Sequence, residues 1–92
     1  MIIWDESKNA KLIRERGIGF VEIVEKIVAN EVLGILEHRT RKEQKIFVVD
    51  LNGRVHAVPF LLDDSGNIIL KTIYPSRKLQ RIYGEKKAEE QT

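Results

Sequence analysis

Four basic side chains near the end of the chain have a spacing that suits the binding of an anion. Arg77 and Arg81 lie four residues apart, so they share one face if the segment is helical. Lys78 lies beside them, and Lys71 comes just upstream in a segment that reads as a β-strand. No acidic residue interrupts this stretch. The cluster is therefore expected to bind an anionic group, for which arginine offers a planar fork of donors.

A second basic stretch covers residues 38–45 and carries four bases against one acid. Arg41 and Lys45 are its candidates for contact with an anion. A solvated basic surface is the alternative interpretation of both stretches, because surface charges often have no specific partner.

Four side chains could transfer a proton, and none lies in a motif that assigns the role. His38 and His56 are candidates because histidine titrates in the physiological pH range. His56 also shares a predicted strand face with apolar residues, so a packing role is its simpler interpretation. Glu43 lies in the basic stretch, and Tyr83 could donate a proton or close the edge of a core.

Composition is typical of one globular domain, with 92 residues, 42% of them hydrophobic and 33% charged. The chain has no cysteine, so we expect neither a disulfide framework nor a thiolate metal site, and a cytoplasmic location. Acidic residues follow Trp4 at once, which is unlike a signal peptide. We predict a single domain over residues 1–84 and a polar, disordered tail over residues 85–92.

Motifs of metal and nucleotide enzymes are absent from the sequence. It has no glycine-rich phosphate loop, no His-Glu-x-x-His pair and no EF-hand loop. It also has no apolar run of the length that a membrane span needs. We therefore expect no cofactor and no membrane partner.

Local signals predict two helices before the sheet. Asp5 is a suitable N-cap for a helix that runs to about Arg16 and ends at Gly17. The apolar spacing that starts at Phe20 predicts a second amphipathic helix, which ends near Asn30. Four segments rich in Val, Ile, Leu and Phe then read as strands: residues 32–37, 45–51, 54–61 and 67–74.

The pair Asn52-Gly53 is the strongest local signal, because both central positions of a type I′ turn need positive φ. If Leu51 pairs with Arg54, then Val49 faces His56 and Lys45 faces Phe60. Both faces of this hairpin carry apolar residues, so we expect the sheet to be covered on both sides.

The predicted fold class is α+β, with two N-terminal helices, a four-stranded antiparallel sheet and a C-terminal helix. Ser76 is the expected N-cap of that last helix. The N-terminal helices should cover one face of the sheet, and the last helix should cross the other.

Three segments resemble a known family. They are Ile3-Trp4-Asp5-Glu6-Ser7-Lys8-Asn9, then Arg16-Gly17-Ile18-Gly19-Phe20, and finally Ser76-Arg77-Lys78 with Arg81 and Tyr83. In order and spacing they resemble the BrnT-type toxins of bacterial type II toxin–antitoxin systems, over most of residues 2–84. The resemblance implies a RelE-like fold, metal-independent cleavage of mRNA that inhibits translation, and a cognate antitoxin of the ribbon-helix-helix type.

Such cleavage uses the 2′-hydroxyl of RNA as nucleophile, so the enzyme needs a base, cations for the phosphate and an acid. Under the resemblance, free or ribosome-bound RNA is the expected substrate. Arg77 and Arg81 are the predicted phosphate-binding catalytic residues, and the acid and base remain open among His38, His56, Glu43 and Tyr83. The predicted RNA contacts are Arg41, Lys45, Lys71 and Lys78.

The sequence departs from the family pattern at two places. Ile73 stands where members commonly carry an Arg three residues before the Ser, and Gln44-Lys45 replaces a frequent Glu-Arg pair. These departures keep two alternatives open. One is a noncatalytic RNA-binding module, and the other is an antitoxin-binding interaction domain that has lost ribonuclease activity.

Overall fold

The computed structural model of the protein describes residues 1–84, which form three helical segments and a six-stranded sheet. The predicted tail, residues 85–92, lies outside the described residues. The elements in chain order are β1 (Ile2–Ile3), α1 (Glu6–Arg16), α2 (Phe20–Val28), β2 (Gly34–Glu37), β3 (Gln44–Leu51), β4 (Arg54–Leu62), β5 (Ile68–Leu70), β6 (Tyr74–Pro75) and α3 (Arg77–Leu79), which continues as a π-helical turn, Gln80–Gly84.

Helix α1 begins and ends at the predicted residues. The Asp5 side chain accepts a hydrogen bond of 3.1 Å from the backbone N–H of Lys8. At the other end Gly17 has a φ of 70°, and its N–H donates to the carbonyl of Ile13 at 2.9 Å. Both predicted caps are confirmed.

The junction between α1 and α2 depends on a polar contact that no sequence motif indicated. Asn9 is buried, and its Oδ1 accepts a hydrogen bond of 2.8 Å from the N–H of Phe20 at the start of α2. A Cβ on Gly19 would lie 2.7 Å from the same oxygen. The two helices therefore meet at an angle that only a residue without a side chain permits at position 19.

The β3–β4 hairpin has the predicted turn and register. Asn52 and Gly53 have φ values of 57° and 85°, as a type I′ turn requires. Leu51 pairs with Arg54, and the register continues along the strands to Gln44 and Leu61.

The sheet has two more strands than we predicted. Its order is β1-β5-β4-β3-β2, with β1 parallel to β5 and antiparallel pairing in the rest, and β6 pairs separately with β4. Strand β1 was missed because two residues give no period to detect.

The predicted strand of residues 67–74 is divided by a bulge. Leu70 pairs with Phe60 and Tyr74 with Ala57, so three residues of one strand lie opposite two of the other. One extra residue in a strand turns the following side chains to the opposite face. As a result Pro75, and not Tyr74, pairs with His56.

Apolar side chains form a core on each face of the sheet, as predicted. The larger core lies under α1 and α2, and full burial of side chains such as Phe20 and Ile23 contributes roughly 1.5–3 kcal/mol each. Its buried members are Leu12, Ile18, Phe20, Ile23, Phe47, Val49, Leu51, Val58, Phe60, Leu70 and Ile73. The smaller core lies under α3 and contains Val48, Val55, Ala57 and Leu79, with Leu33, Leu36, Ile46 and Tyr83 packed against it.

Gly34 lets the C-terminal segment approach β2 closely. A Cβ at this position would lie 2.7 Å from the hydroxyl oxygen of Tyr83 and 3.0 Å from its Cε1. The ring of Tyr83 therefore occupies the space above Gly34.

None of the helices within residues 1–84 has the length and apolarity to cross a bilayer.

We predict that Gly34→Ala lowers the free energy of unfolding by about 1–3 kcal/mol, because the added methyl displaces Tyr83. In a Tyr83→Leu background the same substitution should cost clearly less, since the ring edge is gone. Urea denaturation of the four proteins measures both costs. Equal costs in the two backgrounds would contradict the packing described here.

Candidate functional site

A depression of about 350 Å³ lies between the end of α1 and the turn of the β3–β4 hairpin, and we name it the hairpin depression. Its apolar lining comes from Ile18, Leu51 and Pro75. Its polar lining comes from Arg16, Asn52, Arg54 and His56.

A second depression of about 270 Å³ lies where α3 begins, and we name it the helix depression. Arg54 and Pro75 line both depressions, so the two share part of their walls, and we name them together the basic groove. The other lining residues of the helix depression are Val55, Ser76, Arg77 and Gln80.

Strand pairing brings the residues of the groove together. Arg54 and His56 alternate with Val55 along β4, so both side chains lie on the face that carries α1 and α2. The bulge places Pro75 opposite His56, and Arg77 follows two residues later.

His56 is held in one tautomer by its own strand. It is 7% exposed, and its Nδ1 lies 2.9 Å from the carbonyl oxygen of Arg54. A carbonyl can only accept, so Nδ1 carries the hydrogen of this bond. In the neutral ring Nε2 then has a free lone pair, which is what a general base requires.

Two hydrogen bonds attach the start of α3 to β4. The Gln80 Oε1 accepts from the N–H of Val55 at 2.8 Å, and the Val55 carbonyl accepts from the N–H of Ser76 at 3.2 Å. The Ser76 hydroxyl accepts from the N–H of Leu79 at 3.2 Å, which confirms the predicted N-cap. Because Val55 lies between Arg54 and His56, these bonds fix the position of Arg77 relative to both.

Cations dominate the charge of the groove. Arg16, Arg54 and Arg77 are exposed, and neither of the ion pairs found among residues 1–84 involves them. No described acidic residue lines either depression. The groove therefore has a positive potential that attracts phosphate groups.

The predicted cluster on the C-terminal segment is arranged differently from a regular α-helix. Arg77 lines the helix depression, whereas Arg81 and Lys78 are exposed and line neither depression. Arg81 lies in the π-helical turn, whose wider i→i+5 pattern offsets it from the face of Arg77.

Four other predicted residues lie at the opposite end of the hairpin. His38, Arg41 and Glu43 lie between β2 and β3, and Lys45 is the second residue of β3. Lys45 and Val49, the partner of His56, are four residues apart, roughly 13 Å along a strand. The structure thus does not bring these four side chains to the basic groove.

The ring of His38 holds the loop that follows it. Its Nδ1 accepts hydrogen bonds from the N–H groups of Arg41 at 3.1 Å and Thr40 at 3.3 Å. Nδ1 is therefore unprotonated, and its lone pair is engaged by the backbone.

The Nζ of Lys45 lies 3.9 Å from Oε1 of Glu37, and both side chains are more than half exposed. Such a pair contributes little to stability.

The structure also shows where two further predicted residues lie, Lys71 and Tyr83. It shows the same for the two departures from the family pattern, Ile73 and Gln44. Lys71 is exposed, and its N–H donates to the carbonyl of Pro59 at 2.8 Å. Tyr83 packs against the smaller core. Ile73 and Gln44 are 1% and 6% exposed, so both belong to the interior here.

Two arginines of the groove, Arg54 and Arg16, were not among the residues predicted from the sequence. The predicted hairpin register could have identified Arg54, because it places this residue on the face of His56, next to the turn. Arg16 belongs to one of the segments that carry the family resemblance, but nothing local connected it with an anion site, because only the packing of α1 against the sheet brings it to the hairpin depression. No group of three or more His, Asp or Glu side chains within residues 1–84 is arranged to hold a metal ion.

Comparison with known proteins gives one informative likeness. No protein-family model matches the sequence, and no curated protein matches it. A crystal structure of the Brucella abortus ribonuclease toxin BrnT matches with a TM-score of 0.59 and 22% identity, covering 82% of this chain and 94% of that one. The chain therefore has the fold of BrnT, and the predicted fold is confirmed.

We predict that Gln80→Leu lowers the free energy of unfolding by about 1–3 kcal/mol, because the N–H of Val55 loses its acceptor. Gln80→Glu keeps an acceptor oxygen and should retain most of the stability. Urea denaturation of both variants checks this difference. Equal losses would show that the contact of Gln80 with Val55 does not hold α3.

Proposed function

We propose that the protein is a metal-independent endoribonuclease and the toxin of a type II toxin–antitoxin system. The observation that carries the proposal is the basic groove, in which His56, with an available Nε2, shares the hairpin depression with Arg54, and Arg54 shares the helix depression with Arg77. The fold supports the same assignment, since it is the fold of a ribonuclease toxin.

In this proposal His56 is the general base. Its Nε2 takes the proton of the ribose 2′-hydroxyl, and the 2′-oxygen attacks the adjacent phosphorus. The bond from phosphorus to the 5′-oxygen breaks, which leaves a 2′,3′-cyclic phosphate on one product and a 5′-hydroxyl on the other. Among the residues lining the groove, His56 is the one whose side chain has a nitrogen lone pair that can accept a proton. The leaving oxygen therefore takes its proton from solvent or from the imidazolium.

Arg54 and Arg77 are proposed to bind the phosphate. Guanidinium groups stabilise the extra negative charge of the pentacoordinate state, and they do so without a metal ion. Arg54 lines both depressions, so it can contact the phosphate whose bond breaks. Arg77 approaches from the start of α3. The exposed Lys78, Arg81 and Lys71 extend the basic surface on which more of the RNA could lie.

The biological setting follows from the same proposal. Cleavage of mRNA, free or on the ribosome, would inhibit translation in the cytoplasm. A cognate antitoxin of the ribbon-helix-helix type would neutralise the protein. The net charge of +2 at pH 7 leaves the chain basic enough to bind a nucleic acid or an acidic protein partner.

We expect His56→Asn to lower the rate of RNA cleavage by about 100-fold or more, because the amide donates to the Arg54 carbonyl but accepts no proton. The cleavage rate is measured with purified protein and a defined RNA, in a buffer that contains a chelator in place of metal ions. Thermal denaturation of the variant confirms that it folds. Wild-type protein that binds RNA without cutting it would support the noncatalytic alternative.

We also expect Arg77→Ala to lower the cleavage rate by roughly 100-fold, whereas Arg81→Ala should have a smaller effect. Arg14→Ala is the matched control. It removes the same charge, and Arg14 is exposed on α1 and lines neither depression. Initial rates with the same RNA provide the comparison. Equal losses for Arg77→Ala and Arg14→Ala would mean that only total charge matters.

A further inference from the structure

The basic groove has a direction, if the proposed function holds. His56 lines only the hairpin depression, Arg77 lines only the helix depression, and Arg54 lines both. The 2′-hydroxyl that His56 would deprotonate belongs to the nucleotide on the 5′ side of the cleaved bond. That nucleotide therefore lies in the hairpin depression, and the leaving nucleotide lies toward Arg77.

The hairpin depression has more lining residues than the binding of a ribose and a phosphate requires. Besides His56 it is lined by Leu51 and Ile18, which supply apolar surface, and by Arg16 and Asn52. A guanidinium plane stacks on a nucleobase, and a side-chain amide can both donate to and accept from a base edge. At about 350 Å³ the depression is within the size range of small-ligand pockets.

The turn fixes the backbone conformation of Asn52. Its φ of 57° belongs to the type I′ turn, and the Asp50 side chain accepts a hydrogen bond of 3.0 Å from the next N–H, that of Gly53. The Asn52 side chain is exposed at the rim of the depression. A polar group on a rigid hairpin is suited to discriminate between ligands, because little freedom is lost on binding.

We infer that the hairpin depression is a nucleobase subsite, in which Asn52 reads the edge of the base immediately 5′ of the cleaved bond and Arg16 stacks on its face. This inference rests on the proposed function and adds a substrate preference to it. It makes Asn52 a specificity-determining residue. With the leaving nucleotide toward Arg77, the base 3′ of the cut lies away from Asn52.

The test uses DNA oligonucleotides that contain one ribonucleotide, so that a single 2′-hydroxyl fixes the site of cleavage. Four substrates vary the base of that ribonucleotide, and four vary the base on its 3′ side. Asn52→Asp keeps a residue that tolerates the turn but replaces the donor amide with an acceptor. Asn30→Asp is the matched control, because Asn30 also has a φ of 57° and lines neither depression.

We expect Asn52→Asp to change the relative rates within the first set by about fivefold or more, the ratio that corresponds to 1 kcal/mol of base discrimination. Ratios within the second set should stay as in the wild type, and Asn30→Asp should change neither. A uniform loss of rate cancels in these ratios. Asn52→Gly, which the turn also accepts, should flatten the preference.

Two results would overturn the inference while the proposed function stands. One is cleavage by all variants with unchanged ratios, and the other is a change confined to the base on the 3′ side. If the wild-type protein cuts neither these substrates nor all-ribonucleotide RNA, the proposed function itself fails and the subsite assignment fails with it. If the wild-type protein cuts all-ribonucleotide RNA but not these substrates, the same comparison of rates is made on RNAs in which the base at one mapped cut is varied.

Discussion

The register of the β3–β4 hairpin determines which side chains enter each core and which line the groove. Two consecutive residues with positive φ, Asn52 and Gly53, close the turn, and the pairing of Leu51 with Arg54 follows from it. A shift by one residue would move every side chain of β4 to the other face. Both cores would then lose their inward-facing residues, since each face of the hairpin lies in a different core.

The groove is a consequence of this register and of one irregularity. The hairpin places Arg54 and His56 on one face beside the turn, and the bulge before β6 brings Pro75 opposite His56. Helix α3 starts immediately afterwards, so Arg77 lines the helix depression together with Arg54. Without the extra residue Tyr74 would lie opposite His56, and the start of α3 would turn toward the other face. The bulge thus links the packing of the sheet to the composition of the groove.

Much of the fold could be predicted because its signals are local. Asp5, Gly17, Asn52-Gly53 and Ser76 each act within a few residues of themselves, and the structure has them in the predicted roles. The bulge, the parallel pairing of β1 and the contact between Asn9 and Phe20 depend on segments distant in sequence. The site was harder to predict for the same reason. The basic segments at residues 38–45 and 71–81 stand out in the sequence, but the groove takes Arg16 and Arg54 from elsewhere. Two of the candidate acids and bases, His38 and Tyr83, are engaged by a loop backbone and by the smaller core.

The proposed activity of this groove is cleavage of RNA by attack of the 2′-hydroxyl, with no metal ion. The most direct measurement is mass spectrometry of the ends formed when the purified, partner-free protein acts on a defined single-stranded RNA in excess chelator. We expect a 2′,3′-cyclic phosphate on the upstream fragment and a 5′-hydroxyl on the downstream fragment. Intact RNA, or fragments with 5′-phosphate and 3′-hydroxyl ends, would contradict it.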